Sequence, residues 1–216
     1  MTQNITLLVG ALVAETQPVL RSMTKTSKLS SNFFLGYLGG SSIGLLTCGI
    51  GPVKAESATA TALALIIDRG FTVERVVSFG TCGSLVDDLS IGDLVCAKQL
   101  ALGVNSAKSL ETLHGFRAVD VVTVDRPVTT NTGREQLASL GFHVCEMEAA
   151  GVYIAAAEIP FYVLKVVSDS AGGDPEDKVI AKGPRPVRIA RFMIRARLLS
   201  EAHLVGALTD LVGRTL

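Results

Sequence analysis

Glu146-Met147-Glu148-Ala149-Ala150 opens an apolar helical pattern, and the apolar run Phe161–Val167 ends at Ser168-Asp169. The first acids stand at the start of a predicted helix, and the later aspartate stands at the end of a predicted buried strand. In an open α/β fold these positions lie at the rim of the sheet, where small polar ligands bind. Two acid clusters of this kind suit a reaction that holds a diol and protonates a leaving group.

Apolar runs typical of buried strands alternate with helical patterns along most of the chain. Several runs are unbroken, which favours a mixed but mostly parallel β-sheet flanked by helices on both faces. No repeat or long linker divides the sequence, so residues 1–216 are expected to form a single α/β domain. The predicted strands are 5–9, 33–38, 43–48, 73–79, 91–95, 117–124, 144–145 and 161–167; the predicted helices are 15–23, 53–68, 131–140, 148–158, 186–197 and 201–211; and Gly172-Gly173-Asp174-Pro175 is a predicted flexible loop.

The charge balance excludes some classes of partner. Twenty Lys and Arg residues match twenty Asp and Glu residues, so no global field attracts nucleic acid or an anionic membrane. No run of about twenty residues is apolar enough to span a bilayer, and the N-terminus lacks the pattern of a secretory signal. We therefore expect neither a nucleic-acid partner nor a membrane partner.

The cysteines and histidines give no sign of a disulfide framework or a metal site. The four cysteines form no Cys-x-x-Cys pair, and three of them lie in or beside apolar runs. We interpret them as reduced, buried thiols of a cytoplasmic protein. The three histidines show no ligand spacing, so no metal is expected.

Five motifs follow one another in a specific order across roughly residues 5–171. They are Gly10-Ala11 with Glu15; Cys48-Gly49-Ile50-Gly51-Pro52; Gly80-Thr81-Cys82-Gly83-Ser84-Leu85 with Ile91-Gly92-Asp93-Leu94-Val95; Glu146-Met147-Glu148-Ala149; and Val167-Ser168-Asp169. In these motifs the chain resembles the nucleoside phosphorylase/nucleosidase superfamily, and most closely its methylthioadenosine/S-adenosylhomocysteine nucleosidase branch. Each motif alone is weak, whereas their joint order is specific. The resemblance implies a homodimer that cleaves a purine ribonucleoside without a cofactor.

The resemblance also implies roles for three acids. Asp169 would donate a proton toward N7 of the base, which requires desolvation or a neighbouring carboxylate to raise its pKa. Glu148 would accept hydrogen bonds from the ribose 2′- and 3′-hydroxyls, and Glu15 would activate the attacking water. Each acid has a simpler interpretation: Asp169 as a turn cap, Glu148 as a favourable acid in a first helical turn, and Glu15 as a solvated glutamate.

Further residues are expected to contact the substrate. Thr81, Cys82 and Gly83 would line the sugar and base through backbone groups, and Met147 would pack against the sugar. Cys82 is not expected to act as a nucleophile, because no histidine stands near it in sequence. The remaining predicted contacts are Glu146, Ala11, Val128 and Ser168.

Water is favoured over phosphate as the attacking group. The resembling phosphorylases carry an arginine in the first loop and often a second one three residues before the Thr or Ser of the Gly-rich loop. Here the first loop has no arginine and the second position is Ser78. Glu15 would also repel a phosphate dianion. Thr81, a Gly-rich nest or Arg126 could still bind phosphate, so a phosphorylase remains the alternative.

The chain departs from the nucleosidase pattern in three places, and the first two leave a second alternative open, an inactive nucleoside-binding domain. No aromatic residue occurs in 123–128, where nucleosidases usually stack a ring on the purine. The segment 97–116 is shorter than in typical members. From about residue 184 the tail diverges and carries Arg185, Arg188, Arg191, Arg195 and Arg197. These arginines form either a solvated face or a surface for a partner or lipid.

Overall fold

The computed structural model describes residues 3–104, 106–170 and 184–214. Within them the chain forms one ten-stranded sheet. The strands are β1 (Asn4–Gly10), β2 (Thr24–Ser30), β3 (Phe33–Leu38), β4 (Ser41–Thr47), β5 (Thr72–Ser84), β6 (Leu94–Leu102), β7 (Ala107–Ser109), β8 (Arg117–Thr123), β9 (Val144–Glu146) and β10 (Phe161–Asp169).

The sheet closes on itself at β5. Strand β10 pairs with both β5 and β6, while β8 and β9 connect β6 back to β5, so these five strands form a ring. Strands β1, β4, β3 and β2 continue the sheet outward from β5. Of the ten pairings among the described strands, five are parallel: β1–β4, β1–β5, β5–β10, β6–β8 and β8–β9. The predicted mixed α/β sheet is confirmed, with a smaller parallel share than expected.

Helices cover the two faces of this sheet. They are α1 (Val13–Ser22), α2 (Pro52–Ile67), α3 (Asn131–Ser139), α4 (Ala149–Ala156), α5 (Arg185–Leu199) and, after a π-helical turn at Ser200–Leu204, α6 (Val205–Gly213). None of the helices in the described ranges combines the length and apolarity needed to cross a membrane.

Strand β1 explains why the first run of the sequence is almost entirely apolar. Successive side chains of a strand point to opposite faces. Leu7 and Val9 pack into a cluster with Ala55 of α2, whereas Leu8 packs into a second cluster with Val19 of α1. Both faces of β1 are therefore buried, apart from its exposed first residue.

Two parts of the sheet differ from the sequence-based expectation. Strand β2 was not predicted, because Thr24–Ser30 is polar, largely exposed and lies at an edge of the sheet, where no buried face demands apolar residues. Strand β5 continues through Gly80–Ser84, a stretch that sequence reasoning assigned to a ligand loop. The predicted loop Gly172-Gly173-Asp174-Pro175 lies outside the described residues.

The topology brings three strand ends to one place. Strands β1 and β10 both run parallel to β5, on either side of it. Asp169 at the end of β10 pairs with Gly83, while β1 ends at Gly10, directly before helix α1 and Glu15. The predicted N-terminal acid and the predicted C-terminal acid therefore meet around the last residues of β5.

Helices α2 and α4 approach each other unusually closely at Gly151. A Cβ atom placed on Gly151 would lie 2.0 Å from the carbonyl oxygen of Pro52, the first residue of α2. Only glycine allows this contact. Because Gly51 precedes α2 and Glu148 precedes α4, the close approach also sets the distance between these two residues.

Gly151→Ala is expected to destabilise the protein by about 1–3 kcal/mol, because the added methyl group must push backbone against backbone. Urea unfolding measures the change. Gly206→Ala is the matched control: Gly206 also lies in a helix, but no atom lies within 4 Å of the position that its added methyl group would take. The control should be neutral or gain up to about 1 kcal/mol from helix propensity. Equal stability of Gly151→Ala and the parent protein would contradict the packing argument.

Candidate active site

Glu15 is held at the end of β5 by three hydrogen bonds. Its Oε1 atom accepts from the backbone N and from the Oγ1 of Thr81, both at 2.8 Å, and its Oε2 accepts from Leu12 N at 3.0 Å. The side chain is almost fully buried, with the residue 2% exposed. A Cβ atom on Gly80 would come within 2.8 Å of Oε1, so a glycine is required there. The simpler interpretation of Glu15 as a solvated glutamate is therefore wrong.

Glu148 is also buried but has fewer hydrogen-bond partners than Glu15. Its Oε1 accepts from Gly51 N at 3.0 Å, and the residue is 8% exposed. Desolvation by burial, and then the neighbouring Glu146 carboxylate, raise the pKa of Glu148 to about 7, although Lys165 and the Gly51 N–H act in the opposite direction. Among the described residues, Oε2 has no hydrogen-bond partner, so it can accept one from a ligand.

Glu146 has a structural task instead of the predicted substrate contact. Its Oε2 accepts from the backbone N of Glu148 and of Ala149, at 3.0 and 2.9 Å, which caps the start of α4. Its Oε1 accepts from Thr123 Oγ1. With its side chain 1% exposed and both oxygens engaged, Glu146 has no capacity left for a sugar. The prediction that Glu146 binds substrate is corrected on this ground.

Lys165 is the counter-ion of this acid cluster, and sequence reasoning passed over it. Its Nζ lies 2.9 Å from Glu146 Oε2, and its side chain is 2% exposed. Burial acts to lower the pKa of Lys165, but Glu146, Glu148 and Glu15 outweigh it and raise the pKa above its ordinary value. The sequence does carry one sign of this buried charge: Lys165 is the single charged residue inside the apolar run Phe161–Val167.

Asp169 pairs with Arg134, a residue that the sequence analysis did not predict at the site. The Nη2 of Arg134 donates to Asp169 Oδ2, and its Nη1 donates to the carbonyls of Ser84 and Ser170 at 3.0 and 3.1 Å. Ser168 Oγ contacts Asp169 Oδ1 at 2.9 Å. The predicted surroundings, desolvation or a carboxylate neighbour, are therefore incorrect: the side chain is 29% exposed and its partner is a cation.

Glu15 and Asp169 are anchored at neighbouring positions on the same face of one strand. Glu15 bonds to Thr81, whereas Asp169 pairs with Gly83 two residues further along β5. Two residues of a strand span about 6.6 Å. Glu148 lies near enough to Glu15 for that carboxylate to contribute to its raised pKa.

Comparison with known proteins identifies the family. Residues 6–118 match the family model of the phosphorylase superfamily. The chain belongs to the phosphorylase superfamily.

Individual members of the superfamily are similar over most of the chain. A 5′-methylthioadenosine/S-adenosylhomocysteine nucleosidase of Shewanella oneidensis is 28% identical, over 77% of this chain and 84% of the relative. The crystal structure of such a nucleosidase from Neisseria meningitidis, bound to methylthio-immucillin-A, superposes with a TM-score of 0.74 at 19% identity and covers 95% and 99% of the two chains. The futalosine hydrolase of Helicobacter pylori gives a TM-score of 0.72 at 25% identity, covering 97% and 99%.

The other predicted contacts of this phosphorylase-superfamily site lie around the same acids. Thr81 and Gly83 contact Glu15 and Asp169 as described, and Ser168 is buried with its hydroxyl on the Cys82 carbonyl at 3.1 Å. Met147 and Ala11 are half-buried, and Val128 is half-buried against a cluster that includes Leu85 and Cys145.

The cysteines behave as predicted. All four are free and buried. Complete burial raises the pKa of the Cys82 thiol well above its ordinary value, and burial raises the pKa of Cys145 to about 12. Because a nucleophilic cysteine reacts as the thiolate, neither residue is suited to covalent catalysis.

Glu148→Gln tests the raised pKa. A carboxyl group whose pKa is higher in the folded state, here about 7 against 4.5, binds more protons folded than unfolded. The parent protein should therefore lose stability relative to Glu148→Gln as pH rises from about 4.5 to about 7. Denaturant unfolding of both proteins across this range measures the difference. A difference that stays constant with pH would contradict the assignment.

Proposed function

We propose that this chain hydrolyses the N-glycosidic bond of a purine ribonucleoside, with 5′-methylthioadenosine and S-adenosylhomocysteine as first-choice substrates. The observation that carries the proposal is the position of Glu15. Its carboxylate occupies the backbone and hydroxyl donors of Thr81, which are the donors that a phosphate ion would need. An anion of the protein thus stands where an attacking phosphate would bind, and a water molecule is left as the nucleophile.

In the proposed reaction, each of the three acids acts on a different group: Glu148 on the sugar, Glu15 on the water and Asp169 on the purine. Glu148, when ionised, offers Oε2 to the ribose 2′- and 3′-hydroxyls and so fixes the sugar. Glu15 takes a proton from the water as it attacks C1′. The electrons of the C1′–N9 bond go to the purine, which gains a proton at N7 from Asp169. Free purine and free sugar are the products.

The Arg134–Asp169 pair adds a condition to this scheme. Donation to N7 needs a protonated carboxyl group, whereas Asp169 is paired with a guanidinium. The pair must therefore open or rearrange when the purine binds. The two carbonyl bonds of Arg134, to Ser84 and Ser170, can hold the arginine near the site while Asp169 turns to the base.

A phosphate requirement separates this function from a phosphorylase. We expect 5′-methylthioadenosine to release adenine and free methylthioribose at the same rate with and without inorganic phosphate. Glu15→Gln should lower the rate about 10²–10⁴-fold, the usual contribution of a positioned general base. Chromatography of the sugar product measures both.

Asp169→Asn serves as the control that links the rate to this site, and it should lose activity to a similar degree. Two results would overturn the proposal: formation of a sugar 1-phosphate, or full activity of Glu15→Gln. Tight binding of nucleosides by the parent protein with no base released would favour the inactive binding domain instead.

The site also supports a proposed homodimer. Val13, Ile50 and Val53 are exposed aliphatic residues, 61%, 50% and 77% respectively, and they flank the segments that carry Glu15 and Gly51. Covering such residues with a second copy would bury apolar surface beside the sugar. Sedimentation velocity at micromolar concentration should show a dimer, and a monomer under these conditions would count against the proposal.

A further inference from the structure

Helix α5 carries an unusual local charge in a chain whose net charge is zero. Its fifteen residues include five arginines, Arg185, Arg188, Arg191, Arg195 and Arg197, and no acidic residue. Arg195 is tied to the body of the protein, because its Nη1 donates to the Ser168 carbonyl at 2.8 Å. The other four arginines extend the positive charge along the helix.

The first two turns of α5 pack against little of the protein. Residues 184–191 are exposed at every position, and Ala196 is the one buried residue of the helix. Helices in proteins owe most of their stability to packing of an amphipathic face. The exposed turns also contain the β-branched residues Val187 and Ile189, which are weaker helix formers. A binding partner would supply the missing packing.

A second apolar face lies opposite the buried one. Val187, Ile194 and Leu198 are spaced i, i+7 and i+11, which places them within about 20° of one line along the helix. They are 40%, 60% and 60% exposed. Ala196 lies nine residues after Val187, half a turn away, so this stripe points away from the protein. Arg191 and Arg197 lie to either side of it.

We propose that α5 docks the protein on an anionic lipid bilayer, with the stripe of Val187, Ile194 and Leu198 inserted at the interface. Aliphatic residues flanked by arginines are the pattern of helices that lie in a membrane surface, where the long arginine stems let the guanidinium groups reach the phosphates. A second copy of the chain is a poorer occupant, because two such helices would bring arginine against arginine. The proposal revises the expectation, drawn from net charge alone, that no membrane partner exists, and it is independent of the proposed reaction.

Cosedimentation of the full chain with vesicles tests the proposal. The protein should pellet with vesicles of phosphatidylcholine and phosphatidylglycerol, remain in solution with phosphatidylcholine alone, and be released by salt. Ile194→Ser should lower the partition coefficient about tenfold. Arg188→Gln should lower it about fivefold.

Matched controls come from α2 and the residues after it. Ile67 is 60% exposed, as is Ile194, and Arg69 is an exposed arginine. Ile67→Ser and Arg69→Gln should leave lipid binding unchanged, and each variant must keep the circular dichroism of the parent. Three results would overturn the proposal: no binding of the parent protein to anionic vesicles at low salt, equal losses in the controls, or binding to polyglutamate without binding to vesicles, which would indicate an acidic protein partner.

Discussion

The buried ion pair between Lys165 and Glu146 is the interaction on which the site depends. Both side chains are nearly inaccessible, and removing one partner of such a pair commonly costs about 3–5 kcal/mol because the other charge is left buried alone. Glu146 also caps α4 through two backbone N–H groups. The same carboxylate therefore joins β10 to the helix that begins after Glu148, and it fixes where the neighbouring acid points.

The pair also explains how three carboxylates can share one small region. Glu15, Glu146 and Glu148 all act on the pKa of Lys165, so a single cation offsets part of their mutual repulsion. Glu148 nevertheless keeps a pKa of about 7, because desolvation by burial, and then the Glu146 carboxylate, raise it. The site thus holds one acid that is permanently engaged, Glu146, and one whose charge changes near neutral pH, Glu148. In the proposed reaction, the strength with which Glu148 accepts hydrogen bonds from the ribose hydroxyls therefore depends on its protonation.

Sequence patterns predicted the buried strands and helices. They did not predict features that depend on contacts between residues far apart in the chain. Apolar runs located β1 and β10 because burial on both faces requires a mostly apolar composition. Strand β2 is polar, has no apolar run and was therefore not predicted. Glu146 and Glu148 look equivalent in sequence, and tertiary contacts separate them: Glu146 pairs with Lys165, whereas Glu148 Oε2 has no hydrogen-bond partner among the described residues. Arg134 lies 35 residues from Asp169, on a helix with no buried residue, so nothing local linked them.

The net charge of the chain likewise does not predict how charge is distributed over its surface. A total of zero excludes a global field, yet it does not describe how the charges are distributed. In this chain three glutamates converge on the interior around Lys165, whereas α5 presents arginines without a single acid. The screening length in physiological salt is about 8 Å, which is shorter than the roughly 22 Å length of a fifteen-residue helix. A partner at the outer face of α5 therefore experiences the charge of that helix and not the balanced charge of the chain.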